Sequence, residues 1–159
     1  MTAAKAFDEY IRGKKVVFCG LGVSHRPLVS QYLEKGARVV VCDKRSRAQL
    51  GEEADALEAR GAELHLGGDY LKYLDGDVVF RTPGMKFDLP ELQSARARGA
   101  AVTSEMEVFF RLCPCKIIAV TGSDGKTTTA TLIAEMLKAQ GRAVHLGGNI
   151  GRPLLPAVG

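Results

Sequence analysis

Ten residues constrain this chain more than any other stretch: Val120-Thr121-Gly122-Ser123-Asp124-Gly125-Lys126-Thr127-Thr128-Thr129. The apolar run Ile117-Ile118-Ala119-Val120 leads into them and reads as a buried strand. A helical pattern follows, with Leu132, Ile133, Met136 and Leu137 expected inward and Gly141 as its stop. Strand, glycine turn, lysine-threonine pair and helix together make a cradle for phosphate. Glycines let oxygens approach backbone N–H groups closely, and the helix N-terminus adds its dipole. In such a cradle Lys126 reaches the terminal phosphates and the Thr127 hydroxyl sits on Mg²⁺. The spacing is a short form, Thr-Gly-x-x-Gly-Lys-Thr, because Val120 occupies the place of the first glycine in the longer one. An ordinary glycine-containing turn is the competing reading, and it leaves the lysine and three threonines without a purpose. Asp124 either faces anionic oxygens or turns back onto loop N–H groups; its residue type leaves both open.

Upstream, short apolar runs alternate with helical patterns. Strands are expected at Lys15 to Cys19, Arg38 to Cys42, Ala62 to Leu66, Asp77 to Phe80 and Ala100 to Thr103, with a later one at Ala143 to Leu146. Residues 1–13 carry Phe7, Tyr10 and Ile11 at helical spacing. A helix follows His25, with Pro27 in its first turn, Leu28, Val29, Tyr32 and Leu33 on one face, and Gly36 at its end. Ser46-Arg47-Ala48-Gln49 matches a capping box for a helix running to Gly61. Asp88 and Glu91 are expected to cap another, which Gly99 ends. Ser104-Glu105-Met106-Glu107 opens one more, with Met106, Phe109 and Phe110 as its apolar face. This alternation implies an α/β chain with a parallel sheet covered on both faces, whose ligands sit at the carboxyl ends of the strands. The loops 20–25, 43–45 and 82–84 all fall at those ends.

The first of these loops, Gly20-Leu21-Gly22-Val23-Ser24-His25, is close to a dinucleotide fingerprint, and Asp43 lies where a ribose-binding acid is expected. Its third glycine is His25, which argues against a nicotinamide-dependent oxidoreductase and leaves another nucleotide diphosphate as the better reading. His25 itself reads as a helix-start residue near solvent or phosphate rather than a catalytic base. Lys44 and Arg45 are candidates for a phosphate or uracil-bearing ligand, against the alternative of a solvated basic loop.

The formal charge of +4 suits phosphorylated ligands, but no basic block or aromatic-basic alternation points to nucleic acid. No stretch has the length and apolarity of a membrane span and no signal-peptide core is present, so a cytoplasmic site is expected. Of four cysteines, Cys19 and Cys42 fall in core strands, where free cysteine acts as a small apolar residue. Cys113-Pro114-Cys115 lacks zinc-site spacing.

The short phosphate loop, with Gly147-Gly148-Asn149-Ile150-Gly151 some twenty residues on, resembles the Mur ligases of bacterial cell-wall synthesis. Lys15 to Gly22, Asp43-Lys44-Arg45, Thr82-Pro83-Gly84 and Ser104-Glu105-Met106-Glu107 are similar to the branch that joins D-glutamate to UDP-N-acetylmuramoyl-L-alanine. The resemblance implies a Rossmann-like domain binding the UDP-substrate over residues 1–103, then the truncated start of a P-loop ATPase domain over 104–159. It places Val23 and Ser24 at the uridine diphosphate, Asp43, Lys44 and Arg45 at the uracil end, Thr82, Pro83 and Gly84 along the same ligand, and Asn149 at the muramoyl part. It places Gly122, Ser123, Asp124, Gly125, Lys126, Thr127 and Thr128 around ATP, with Lys126 as the catalytic cation and Thr127 on Mg²⁺. Where this chain has Asp124 the family commonly has Asn, and His25 replaces a usual glycine. With one strand-helix-strand unit after residue 104, the chain is expected to be an N-terminal piece. It should bind uridine nucleotide without ligating, and self-associate through unpaired apolar surface.

Overall fold

The computed structural model describes residues 1–148 and 152–158. Five strands form one parallel sheet: β1 (Lys15–Cys19), β2 (Arg38–Asp43), β3 (Glu63–Leu66), β4 (Val78–Phe80) and β5 (Ala101–Thr103), in spatial order β3-β2-β1-β4-β5. Register runs from Val16↔Val39 and Val16↔Val78 at the centre to Val41↔Leu64 and Val79↔Val102 at the flanks. Because β1 and β2 are apolar on both faces, they read as unbroken hydrophobic runs rather than alternating ones.

Alternate residues of those strands serve two separate cores. Val16, Phe18, Val39, Val41, Val78 and Phe80 face one side, where α1 (Ala3–Ile11), α2 (His25–Glu34), α4 (Glu52–Ala59) and α6 (Glu105–Leu112) supply Ile11, Leu28, Tyr32, Leu57 and Phe109. Val17, Cys19, Val40, Cys42 and Val79 face the other, against Leu92 and Ala95 of α5 (Pro90–Ala97) and Leu74 beyond the 3-10 turn Tyr70–Tyr73. Both strand cysteines are packed there as apolar residues; burial pushes the Cys42 thiol up to about 12 and the Cys19 thiol higher still.

Several local expectations give way. The helix after Ser46 is two pieces, α3 (Arg47–Leu50) and α4, because Gly51 breaks it at φ +57°, ψ −135°. Helix α5 starts at Pro90 with Leu89 in the capping place, so Asp88 caps nothing. Phe110 is half-exposed on α6 while Phe109 is buried. Residues 117–120 and 143–146 are not strands: among the described residues they pair neither with each other nor with the sheet, and a strand exists only where a neighbour takes its backbone bonds. The helix after the phosphate loop, α7 (Lys126–Ala139), does form, yet it buries Ala134 alone. Leu132 and Met136, expected inward, are 54% and 61% exposed. No helix among the described residues is long and apolar enough to cross a membrane, and none of their His, Cys, Asp or Glu side chains cluster as a metal site.

Candidate nucleotide site

Strand β1 is central: the chain leaves it toward β2 and β3, then returns across it to β4. That reversal opens a crevice beyond the carboxyl ends of β1 and β4, where sheets of this kind take ligands. A cleft of about 660 Å³ lies there. Its floor is Cys19, Gly20, Leu21 and Gly22; one wall carries Asp43, Lys44 and Arg45, and the other Thr82, Gly84, Met85 and Lys86. Gly20 holds φ +86°, and a Cβ there would come within 3.0 Å of Thr82 Cγ2, so the loops after β1 and β4 meet only because this residue has no side chain.

Above the floor, α2 begins. The His25 and Arg26 N–H groups donate to the Gly22 carbonyl, whereas those of Gly22, Val23 and Ser24 have no partner among the described residues. Three free N–H groups at a helix N-terminus make a seat for an anion. Val23 is an exposed side chain and Ser24 makes no side-chain cap bond, so both belong to this seat through their backbone.

Asp43 lies in the cleft wall as expected, but its carboxylate is already engaged. Its carboxylate is buried and accepts from Leu21 N–H at 2.6 Å, Arg45 N–H at 2.9 Å, Arg45 Nε at 2.9 Å and Arg45 Nη2 at 2.7 Å. Burial opposes its charge, but the Arg45 guanidinium and the two N–H groups outweigh that and bring it to about 2. Arg45 also donates to the Leu21 carbonyl at 2.8 Å. The pair thus braces the floor, with the carboxylate's acceptor sites already filled, while Lys44 is exposed beside it.

His25 differs from the expectation of a residue near solvent. It is fully buried; Nδ1 bonds the Gly20 carbonyl at 2.7 Å, and the ring meets Phe18 edge-on at 5.3 Å and Phe80 at 6.3 Å. It fills from one side the helix-strand contact that a fingerprint glycine would close. Burial holds its pKa below the ordinary value, against the pull of the Gly20 and Arg81 backbone, and Nε2 has no hydrogen-bond partner.

Of the expected residues, Asp43, Lys44, Arg45, Thr82 and Gly84 line the cleft; Val23, Ser24 and Pro83 sit beside lining residues without lining it themselves, and Asn149 lies outside the described residues. Arg26, Tyr70, Leu71, Met85, Lys86 and Leu89 were missed. Met85 and Lys86 directly follow Thr82-Pro83-Gly84, and Tyr70-Leu71 follow the Gly67-Gly68 turn at the end of β3, so extending each strand-end loop by a few residues would have found them. Arg26 pairs with Glu53 at 2.6 Å. Tyr70, Leu71, Met85 and Leu89 give the cleft apolar surface suited to a flat base.

At the second loop, Gly125 caps α7 in the left-handed conformation, and the N–H groups of residues 123–128 have no partner among the described residues. Lys126 Nζ donates to the Gly122 carbonyl, and to the Ser123 carbonyl at 3.0 Å. The loop is thus a row of unpartnered N–H groups with Lys126 folded across it. Asp124 is exposed and makes no side-chain bond among the described residues.

Comparison with known proteins agrees with the two loops. The sequence matches the family described as Mur ligase MurD-like, N-terminal domain, over residues 14–104, and the Mur ligase middle domain over residues 120–155. It is 50% identical over 149 residues to a UDP-N-acetylmuramoylalanine–D-glutamate ligase of Clostridium botulinum, covering 93% of this chain and 32% of that protein. It is 49% identical over 158 residues to the enzyme of the same name from Acetivibrio thermocellus, covering 99% and 34%. The chain therefore spans about a third of the length of the curated relatives it matches. Among solved structures, the UDP-N-acetylmuramate-alanine ligase of Thermotoga maritima superposes with a TM-score of 0.51 at 26% identity, over 85% of this chain and 32% of that one. The oxidoreductase reading is set aside by these matches. Its one positional argument, Asp43 as ribose acid, also fails on the geometry, since that carboxylate is spent on Leu21 and Arg45. The parallel sheet, its switch-point cleft and the matched family model, which covers more than half of the sequence, lead to one assignment: the chain belongs to the MurD-like Mur ligases.

Proposed function

We propose that this chain is the nucleotide-binding N-terminal part of an ATP-dependent ligase that joins D-glutamate to UDP-N-acetylmuramoyl-L-alanine in the cytoplasm, during peptidoglycan synthesis. The observation that carries the reading is the cleft at the β1/β4 reversal. It joins Gly22, where a run of unpartnered N–H groups leads into α2, with the cations Lys44 and Lys86 and an apolar side. A uridine diphosphate matches that distribution: diphosphate on the α2 N-terminus, base against the apolar side near Lys44, and the Thr82-Pro83-Gly84 loop along its length.

The loop at 122–128 fits ATP phosphates, because six N–H groups there lack partners and Lys126 stands beside them. Thr127 supplies a hydroxyl for Mg²⁺. MgATP, when bound, supplies the phosphoryl group that activates the substrate's terminal carboxylate as an acyl phosphate for attack by the D-glutamate amine. The residues present here hold and neutralise: Lys126 leaves the Gly122 and Ser123 carbonyls to meet phosphate charge, and the loop amides fix its oxygens. Calorimetry with UDP should give saturable heat, weakened about five-fold by Lys44→Ala; no heat with UDP or UDP-N-acetylmuramoyl-L-alanine would refute the reading.

A further inference from the structure

The outer wall of the cleft, residues 84–89, has no regular structure, yet it is held from outside by an unusual contact. Phe87 is 57% exposed, and two guanidinium groups flank its ring: Arg96 at 4.0 Å from the ring centroid and Arg81 at 5.5 Å. Arg96 comes from α5 and also donates to the Phe87 carbonyl at 3.0 Å, tying backbone as well as ring. Arg81 leaves the end of β4, where its N–H donates to the Thr103 carbonyl at 2.9 Å and its Nη2 to Glu107 at 3.1 Å. Glu107 is held in turn by Thr103 Oγ1 at 3.1 Å. Arg81 Nε and Arg96 Nη2 are buried without hydrogen-bond partners, as suits guanidinium groups that give part of their solvation to an aromatic face. Arg96 stands on α5, and Arg81 directly follows β4 with its N–H bonded to β5, so both cations on the ring are anchored to the sheet domain.

Lys86 is the neighbour of that ring. It lines the cleft on the wall opposite Lys44, and neither lysine has an ion pair among the described residues; the two arginines of the cleft, Arg26 and Arg45, are paired with Glu53 and Asp43. A lysine on an irregular loop has little effect on a ligand unless its backbone is fixed, because ordering it costs entropy at the moment of binding. We propose that the Arg81–Phe87–Arg96 stack is a positioning clamp that fixes residues 84–89 before binding and so makes Lys86 a further phosphate-contacting residue of the cleft. This rests on the reading of the cleft as a nucleotide-diphosphate site. Lys86 is the residue that meets the ligand; Phe87, Arg81 and Arg96 act through it.

The test is calorimetric titration of UDP and of uridine into the whole chain and into Lys86→Ala, Phe87→Ala, Phe87→Tyr and the double variant Lys86→Ala/Phe87→Ala. Lys86→Ala should weaken UDP about five-fold at low salt, less at high salt, and leave uridine unchanged. Phe87→Ala should weaken UDP by a similar factor and raise hydrogen exchange across residues 84–89 without ligand; Phe87→Tyr should restore both. The double variant should be no weaker than the worse single one, since both act through one contact. Unchanged UDP affinity in Lys86→Ala, additive losses in the double variant, or unchanged exchange in Phe87→Ala would each overturn the inference while UDP binding by the unaltered chain stands. Failure of the unaltered chain to bind UDP would instead overturn the reading of the cleft, and the role of Lys86 with it.

Discussion

Two buried polar residues, Asp43 and His25, make stability fall in acid, and their effects begin at different pH values. Asp43 has a folded pKa of about 2 against 3.8 for the free group, so its ionised form is favoured by folding. Such a group contributes stability that is full above the unfolded value and is lost as pH falls through the folded one, which is about 2 kcal/mol between roughly pH 4 and pH 2. His25 is held below its usual 6.5. The unfolded chain takes up that proton first, so stability also declines as pH falls below about 6.5 and continues to do so until the buried ring is protonated. Urea unfolding across this range should show both slopes. His25→Leu should remove the upper one whatever it does to baseline stability, and Asp43→Asn should flatten the lower one at a cost of about 2 kcal/mol near neutrality. An upper slope that persists in His25→Leu would show that another group carries it.

At the scale of elements, one carboxylate ties the end of the described chain to the sheet domain. Glu105, buried at the start of α6, accepts from Leu154 N–H at 2.9 Å and Leu155 N–H at 2.8 Å, and Leu155 enters the same core as Phe18 and Phe80. Gln31 of α2 adds a bond to the Pro156 carbonyl at 3.2 Å. Glu105→Ala leaves two N–H groups without their charged acceptor, and should cost about 2–4 kcal/mol. Hydrogen exchange should rise at residues 152–158, while Glu105→Gln, which keeps an acceptor oxygen, changes it far less. Equal protection in all three proteins would mean that Leu155 packing alone holds the segment. None of this was legible in the sequence, where Glu105 reads only as the second residue of a capping box. The five strands were legible because β1, β2 and β4 are unbroken apolar runs, β3 and β5 are short runs beside glycine turns, and all five alternate with helical patterns; their carboxyl-end loops did converge. The position of Asp43 was legible too, but not its partner, since spacing says where a carboxylate stands and not what already occupies it. For the phosphate-loop segment, periodicity identified α7 correctly and its burial wrongly. An amphipathic pattern specifies a face; what covers that face is set by other parts of the fold.

For the whole molecule, that uncovered face bears on association. Leu132 and Met136 on α7 are more than half exposed, and Ile117, Ile118 and Phe110, on the stretch leading to it, are 37%, 55% and 51% exposed. Scattered exposed apolar residues are normal, but several on one helix and its approach lower the cost of bringing two copies together, because each contact removes apolar area from water at about 25 cal/mol per Å². A net charge of +4 is too small to oppose this at physiological salt, where screening acts within about 8 Å. Light scattering should therefore show apparent mass rising with concentration, more steeply as salt is added. Leu132→Glu/Met136→Lys should return the chain to a monomer while UDP affinity is unchanged, because α7 shares no residue with the cleft at the β1/β4 reversal. A monomer at every concentration in the unaltered chain would show that this face is tolerated in water as it stands. Association that survives the double variant would place the contact elsewhere, with the free edges of β3 and β5 as the next surfaces able to pair.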